Sequence, residues 1–294
     1  KSELLGKGQD ADGIARGDTL KNDAHLTERF DYVLSNPPYG GDWKASRTAV
    51  EKEIAAGGAT NRFPGGTPAI SDGQMLFLQL VASKLRPVSE GGGRAGIVLN
   101  GSPLFTGGAG SGPSEIRRWL LESDLVDAIV ALPTDMFYNT GIATYVWVLD
   151  NNKSEERRGK VQLIDARTFF TKLRRNVGSK NKELSKADRQ RVLDIYRDFD
   201  AQSEDNAEFS KVLTAQDFGY REITVERPLQ LRFEVEDATI AAALATKPVD
   251  KLPDDGRSAL EAALASLRGR VWDHQPTFVL ELKKALKEHG VTAG

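Results

Sequence analysis

The strongest constraint on the fold of this chain is a series of short apolar runs that alternate with helix-like segments. Each run is rich in β-branched or aromatic residues, which predicts a strand. The predicted strands are residues 30–35, 94–100, 127–132, 143–149 and 161–165. Helices are predicted at residues 74–86 and 114–122. This alternation indicates an α/β fold with a mostly parallel sheet covered on both faces.

One connection departs from the parallel pattern. The segment between residues 132 and 143 is too short to contain a crossover helix. The strands on either side of it, 127–132 and 143–149, are therefore predicted to be antiparallel neighbours.

The sequence changes in character after about residue 165. Residues 171–192 contain eight basic residues against two acidic ones, which predicts a solvated helix face or a mobile loop. The alternative is a segment that contacts DNA phosphates through Arg174 and Arg175 without reading sequence. Further helices are predicted at residues 185–199, 237–246, 257–267 and 277–287, with a β-like piece at 223–233. We expect a catalytic part, 1–165, and a mainly helical accessory and partner-docking region, 166–294.

The absence of cysteine excludes several kinds of chemistry. Disulfides, thiolate zinc sites and cysteine nucleophiles cannot form, which rules out zinc deaminases and cytosine C5 methyltransferases that form a covalent adduct. The three histidines are scattered along the sequence, so no metal site is predicted. A net charge of −2 over 294 residues argues against an all-over basic nucleic-acid binder and leaves room for a local basic face.

Two further expectations concern the cellular context. No apolar stretch is long enough to span a membrane and no leader-like segment is present, so we expect a cytoplasmic protein without a membrane partner. The first residue is Lys rather than Met, so we expect a processed chain or a fragment of a longer one.

The strongest sign of chemistry is Asn36-Pro37-Pro38-Tyr39, directly after the first predicted strand. The amino group of adenine is a poor nucleophile because its lone pair is delocalised into the ring. Two acceptors, the Asn36 side-chain oxygen and the Pro37 carbonyl oxygen, can bind both amine hydrogens and turn the lone pair towards a methyl donor. The two prolines restrict the backbone and hold these acceptors in place, while Tyr39 offers a flat face for stacking. An ordinary strand-ending turn is the alternative.

The run from Phe30 to Tyr39 resembles the catalytic motif of amino-methyltransferases that use S-adenosylmethionine. Other segments resemble one branch of these enzymes, the modification subunit of type I restriction–modification systems. These segments are residues 14–20, 93–100, 104–105, 132–144, 218–221 and 225–228. The resemblance spans about residues 14–235, and the combination is more specific than any single segment.

The resemblance implies a partial Rossmann-like methyltransferase sheet whose last strand is antiparallel, followed by a mainly helical region. It also implies a site-specific adenine N6 DNA methyltransferase that acts on a flipped base. Residues 36–39 would be catalytic, and Tyr39 and Phe137 would hold the target adenine. DNA, a specificity subunit and a restriction subunit are the implied partners.

The cofactor site is where this sequence departs from the family. Asp18 would lie beside the adenine of S-adenosylmethionine, and Asn36 would also contact the cofactor. The family's Phe-x-Gly-x-Gly loop and ribose-binding acid lie upstream of Asp18, and this sequence has neither. We therefore expect the carboxyl part of a larger subunit, which alone binds cofactor weakly or not at all and is inactive. The glycine-rich run 107–112 lies beyond the catalytic motif, and we interpret it as a flexible surface loop.

The tetrapeptide leaves other functions open. Enzymes that methylate adenine in RNA, or a glutamine side chain in a release factor, present an sp² amine to the same acceptors. A non-catalytic assembly subunit that retains the motif is the remaining alternative.

Overall fold

The computed structural model describes residues 1–199, 204–226 and 231–291. The helices are α1 (Ser2–Gly6), α2 (Arg47–Ala56), α3 (Gln74–Ser83), α4 (Ser102–Phe105), α5 (Gly112–Glu122), α6 (Lys186–Arg197), α7 (Glu204–Ala207), α8 (Asp237–Leu244), α9 (Asp254–Ser266) and α10 (Gln275–Glu288). The strands are β1 (Tyr32–Ser35), β2 (Arg94–Asn100), β3 (Val126–Ala131), β4 (Thr144–Asp150), β5 (Lys160–Asp165), β6 (Thr171–Val177), β7 (Lys180–Glu183), β8 (Ser210–Thr214), β9 (Phe233–Glu234) and β10 (Val271–Trp272).

A six-stranded sheet in the order β1-β2-β4-β3-β5-β8 organises the first part of the chain. β1 is parallel to β2, and β3 is parallel to β5. β4 lies antiparallel between β2 and β3, as its short connection predicted, and β8 is antiparallel to β5. Most strands therefore run in one direction, which confirms the predicted α/β class, and β8 is a second antiparallel strand that sequence reasoning missed.

The chain divides into two compact units, Lys1–Glu222 and Ile223–Gly294. Strand β8 comes from beyond residue 165 and completes the large sheet, so the compact units divide later than the boundary expected from the sequence. The division into a catalytic part, 1–165, and a docking part, 166–294, concerns function and stays a prediction.

The main core lies between the sheet and the two helices α3 and α5. Ile116 and Leu120 of α5 are four residues apart, share one helix face and are fully buried. They belong to the same apolar cluster as Ile97 and Leu99 of β2. Burial of each such side chain contributes roughly 1.5–3 kcal/mol, so these helices fix the sheet that carries the proposed site.

Strand β1 forms one edge of this sheet. Leu34 is 87% exposed and Tyr32 is 77% exposed. An apolar edge strand offers unpaired backbone groups and apolar side chains, and proteins normally cover such an edge.

The basic stretch begins with a β-hairpin instead of the expected helix face or loop. β6 and β7 pair in antiparallel fashion, with Val177 opposite Lys180, so Gly178 and Ser179 form the turn. α6 follows, and its first turn is closed by a capping box, in which the Ser185 hydroxyl and the Asp188 carboxylate each accept the other's backbone N–H. Charge density alone did not reveal the hairpin because cross-strand pairing stabilises it.

A buried polar network anchors α6 to the sheet. The Tyr196 hydroxyl donates to the Asp127 carboxylate on β3, and the Arg157 guanidinium lies 3.3 Å from the other Asp127 oxygen. Arg94 of β2 donates to the Tyr196 hydroxyl. Burial, together with the hydrogen bond to Asp127, raises the pKa of Tyr196 to about 12.

The second unit contains the short sheet β9–β10 and helices α8, α9 and α10, so the helices predicted in this part are confirmed. The Phe233 and Phe278 rings stack with centroids 5.3 Å apart. The predicted β-like piece is reduced to β9, and residues 223–226 have no regular structure. Arg227 and Pro228, the end of one resemblance segment, lie outside the described residues. Across the described ranges, no helix combines the length and apolarity needed to cross a membrane.

Candidate active site

The Asn36-Pro37-Pro38-Tyr39 corner leaves the carboxyl end of β1. Pro37 is buried, whereas Asn36 and Pro38 are exposed, so the Asn36 amide lies outside the hydrophobic core. The Tyr39 hydroxyl donates a hydrogen bond of 2.7 Å to Asn36 Oδ1. This bond orients the carboxamide and leaves Oδ1 a second lone pair for another donor.

The chain after the corner is firmly attached. Trp43 is 4% exposed, and its indole N–H donates to the Ala69 carbonyl at 3.0 Å. The Gly73 N–H donates to the Gly41 carbonyl, also at 3.0 Å. The corner is therefore held between a sheet strand and a buried tryptophan.

Tyr39 and Phe137 contact each other although they come from two different loops. Their ring centroids are 6.1 Å apart and their planes make an angle of 78°, which is an edge-to-face contact. Burial raises the pKa of Tyr39 above its ordinary value, which favours the protonated hydroxyl that donates to Asn36. The structure thus brings together Asn36, Tyr39 and Phe137, the residues that the sequence analysis assigned to the target base.

A second polar group lies at the carboxyl end of β2, the strand next to β1. Gln74, which is 1% exposed, bonds the side chain and the backbone N–H of Asn100, both at 2.9 Å. Asp72 accepts from Gln74 at 3.0 Å and from the Ser102 hydroxyl at 2.7 Å. Sequence analysis missed this cluster, and the one signal for it was Asn100 at the end of a strand parallel to the one that ends at Asn36.

Asp18 lies in a turn, and its carboxylate is already engaged. Its Oδ1 accepts from the Leu20 N–H, and its Oδ2 accepts from the Ser46 hydroxyl, both at 3.0 Å. These are the contacts of a turn residue. Within the described ranges, no hydrogen bond or ion pair joins Asp18 to residues 36–39, and its cofactor role stays a prediction.

Arg174 and Arg175, the predicted phosphate contacts, lie on β6. Both are exposed, and neither forms an ion pair with any residue that the structure describes. The pairing of β6 with β7 is irregular between Lys172 and Val177, so both arginines lie in the irregular part of the hairpin.

The described residues fit the amine-binding half of a methyl-transfer site but not its cofactor-binding half. Two clefts of about 650 and 980 Å³ are both bordered by α5 and Phe218, and residues 36–39 line neither. The glycine-rich run borders the larger cleft and is largely exposed. Because Asp18 is engaged and residues 36–39 line neither of these clefts, the corner can hold an amine, but these clefts do not combine with it to enclose S-adenosylmethionine.

Comparison with known proteins places this geometry among DNA methylases. The family model described as N-6 DNA Methylase matches residues 4–234. The type I restriction enzyme MjaVII methylase subunit of Methanocaldococcus jannaschii is 29% identical over 226 residues, which are 75% of this chain and 36% of that protein. The EcoKI methylase subunit of Escherichia coli is 31% identical over 161 residues, 53% of this chain and 26% of that protein. This chain spans about a third of the length of the curated relatives it matches.

A solved structure shows the same fold. It is the methyltransferase subunit of a type I restriction–modification system from Streptococcus thermophilus. The two chains superpose with a TM-score of 0.58 at 25% identity, covering 73% of this chain and 41% of the other.

Proposed function

This chain belongs to the N-6 DNA methylase family, and we propose that it is the catalytic part of the methylase subunit of a type I restriction–modification system. The proposed reaction transfers a methyl group from S-adenosylmethionine to N6 of an adenine flipped out of duplex DNA, and flipping costs a few kcal/mol. The observation that carries the proposal is the exposed Asn36 amide, oriented by Tyr39 at the carboxyl end of β1 with Phe137 beside it.

The corner acts on the amine of the target base. Asn36 Oδ1 and the Pro37 carbonyl oxygen accept the two N6 hydrogens, so the nitrogen rehybridises and its lone pair is withdrawn from the π system of the ring and becomes available for attack. Positive charge develops on N6 as its bond to the methyl carbon forms and the carbon–sulfur bond breaks, and two fixed acceptors stabilise that charge without having to reorganise. N6 then loses one proton to solvent, so the methylated base is neutral. The prolines fix the backbone that presents these acceptors.

The two aromatic rings hold the base. Tyr39 and Phe137 already contact each other at nearly right angles, so the purine stacks on the face of one ring and meets the edge of the other. Stacking of a base on an aromatic side chain is worth roughly 1–3 kcal/mol, which is comparable to the cost of extrusion.

We propose that other residues complete the cofactor site and that this chain alone is inactive. Family membership implies S-adenosylmethionine, which supplies a methyl group on a sulfonium. The exposed apolar edge at Tyr32 and Leu34 is where further chain or a partner subunit can extend the sheet. Binding of the cofactor near Asp18 remains part of this proposal.

The proposed partners are DNA, a specificity subunit and a restriction subunit, and the proposed location is the cytoplasm. Residues 166–294 are proposed to dock the specificity subunit. The apolar Val279 and Leu280 on α10 are exposed, which supports a docking role for this region. The names of the matched relatives favour DNA over the RNA or protein-glutamine alternatives.

Transfer of labelled methyl groups tests the proposal. The full-length enzyme is expected to label duplex DNA at adenine and to leave RNA and protein unlabelled, and this chain alone is expected to label nothing. Asn36→Ala removes one of the two acceptors and is expected to lower kcat by about 10²–10³-fold.

The matched control is Asn22→Ala, since Asn22 is also exposed and lies in the same compact unit. This control is expected to retain full activity. Labelling of RNA or of a glutamine would support one of the other methyltransferases. Unchanged methylation in Asn36→Ala would instead favour a non-catalytic assembly subunit.

A further inference from the structure

The loop that carries Phe137 is held by the basic hairpin. We call residues 133–143, which join β3 to β4, the target-base loop. Ser179 in the hairpin turn donates its backbone N–H to the Tyr138 carbonyl at 2.8 Å. The N–H groups of Asn181 and Lys182 on β7 both donate to the Asp135 carbonyl, at 3.0 and 3.3 Å. The hairpin therefore holds the loop on both sides of Phe137.

Side chains add to this attachment. Lys182 Nζ donates to the Thr134 hydroxyl at 3.1 Å and lies 3.7 Å from an Asp135 carboxylate oxygen. Lys180 Nζ lies 5.3 Å from the centroid of the Tyr138 ring, within the range of a cation–π contact. Two lysines of the basic stretch are thus directed at the loop and not at solvent.

Backbone conformation shows that the attachment is close. Gly178 has a φ of +61°, and a Cβ at this position would lie 2.2 Å from the Tyr138 carbonyl oxygen. Asp135 has a φ of +60°, a left-handed conformation that costs energy for a residue other than glycine. Such a conformation persists only where surrounding contacts determine it, and two of the hairpin's backbone bonds end on Asp135.

The hairpin also carries cations that form no ion pair with the described residues. Lys172, Arg174 and Arg175 are exposed, so one short element has cations free to meet an anion and a second set of contacts fixed on the target-base loop. In duplex DNA, the anions that lie next to a flipped base are the evenly spaced phosphates of the backbone. Exposed cations on the hairpin are therefore suited to contact these phosphates.

We propose that the β6–β7 hairpin is a positioning clamp, which contacts the DNA backbone and holds Phe137 against Tyr39, with Gly178 as its key positioning residue. This inference rests on the proposed function, because it needs a flipped adenine bound against these two rings. Phosphate contact and base capture are then coupled through a single rigid element.

Gly178→Ala tests the clamp, and Gly159→Ala is its matched control. Both glycines have positive φ values, +61° and +67°, so alanine is strained equally at both positions, but nothing lies within 4 Å of a Cβ at Gly159. The test uses the full-length enzyme with S-adenosylmethionine and a duplex in which 2-aminopurine replaces the methylated adenine. Its fluorescence rises when the base leaves the stack.

Gly178→Ala is expected to lower kcat by about 100-fold, the cost of a displacement of about 1 Å at a reacting group. It is also expected to abolish the fluorescence increase while the DNA Kd and the KM for cofactor stay unchanged. Gly159→Ala is expected to behave like the unmodified enzyme in each measurement. Equal behaviour of the two variants would overturn the clamp.

Lys182→Met is the second variant, to be used if Gly178→Ala does not fold. It is expected to lower kcat in the same way, with recovery in Lys182→Arg, which restores a cation beside Thr134 and Asp135. Absence of any kcat effect in Lys182→Met would overturn the clamp. If the unmodified enzyme itself neither methylates adenine nor increases the 2-aminopurine signal, the proposed function fails, and that result is distinct from a failure of the clamp alone.

Discussion

The corner at residues 36–39 and the target-base loop at residues 133–143 each supply one aromatic ring to the proposed base site, but they keep their shapes in different ways. The corner is restricted from within, by two consecutive prolines and by the bond from Tyr39 to Asn36. The target-base loop has a left-handed residue, Asp135, and depends on the bonds that it accepts from the β6–β7 hairpin.

This difference shows where each half of the site can be disturbed. A change in the corner acts directly on the acceptors of the amine. The target-base loop can be disturbed from a distance, because the hairpin donates backbone hydrogen bonds to it on both sides of Phe137. Variants that separate these two modes of support are therefore more informative than truncation of Phe137 itself.

The largest effect among the remaining tests is expected in the corner. Tyr39→Ala removes both the stacking face and the bond to Asn36, and loss of stacking alone is worth roughly 1–3 kcal/mol, so kcat is expected to fall about 10- to 100-fold. Tyr39→Phe keeps the ring and loses one hydrogen bond worth roughly 1 kcal/mol. Methyl-transfer rates under single-turnover conditions measure both variants, and a loss in Tyr39→Phe as large as that in Tyr39→Ala would contradict the stacking role.

Sequence reasoning succeeded where structure is determined locally. β2 and β4 were predicted to within a residue or two because long buried strands need uninterrupted apolar residues. The Asn36–Tyr39 corner was predicted for a related reason, since proline fixes its own backbone wherever it occurs. The resemblance alone predicted that Phe137 contacts the target adenine. Its contact with Tyr39 is visible only in the folded chain.

The parts that sequence reasoning missed depend on contacts between distant residues. The β6–β7 hairpin is polar, and its stability comes from cross-strand pairing and from its bonds to the target-base loop. One local signal was available, the Gly178-Ser179 pair, because a two-residue turn of this composition between strands is typical of a hairpin. The Asp72–Gln74–Asn100 cluster had only the position of Asn100 at a strand end as a signal, since its members are brought together only when β2 and α3 pack.

A smaller effect is expected when the charges of the two exposed arginines of the hairpin are reversed. Arg174→Glu with Arg175→Glu is expected to weaken DNA binding by a similar factor for every sequence. The slope of log K against log salt is expected to flatten by about 2, which is about 1 for each phosphate that the protein no longer neutralises. Fluorescence anisotropy at several salt concentrations measures both quantities.

The control for this pair is Lys186→Glu, which reverses an exposed cation in the first turn of α6, outside the hairpin. It is expected to leave the slope unchanged. A loss confined to particular DNA sequences would contradict phosphate contact and indicate base reading. Together with Gly178→Ala, the double variant separates the two roles proposed for the hairpin, because one change lowers affinity and the other lowers kcat.

The smallest effect is expected for the bond that attaches α6, the helix after the hairpin, to the sheet. Tyr196 of α6 bonds Asp127 of β3, so it joins the helix that follows the hairpin to the strand that leads into the target-base loop. Tyr196→Phe is expected to lower the free energy of unfolding by about 1 kcal/mol at neutral pH, because Arg157 remains as a partner of Asp127.

The pH dependence of unfolding identifies this bond. Burial and the bond to Asp127 raise the pKa of Tyr196 from 10.0 to about 12 in the folded chain, so folding favours the protonated phenol. Its stabilisation is complete below the unfolded pKa and is lost as pH rises from 10 towards 12. Denaturant unfolding of this chain across that range is expected to show a steeper alkaline loss of stability than Tyr196→Phe shows. Equal slopes in the two proteins would mean that the bond from Tyr196 to Asp127 does not stabilise the folded chain, and that other contacts of α6, such as the bond from Gln162 Nε2 to the Ile195 carbonyl, hold the helix.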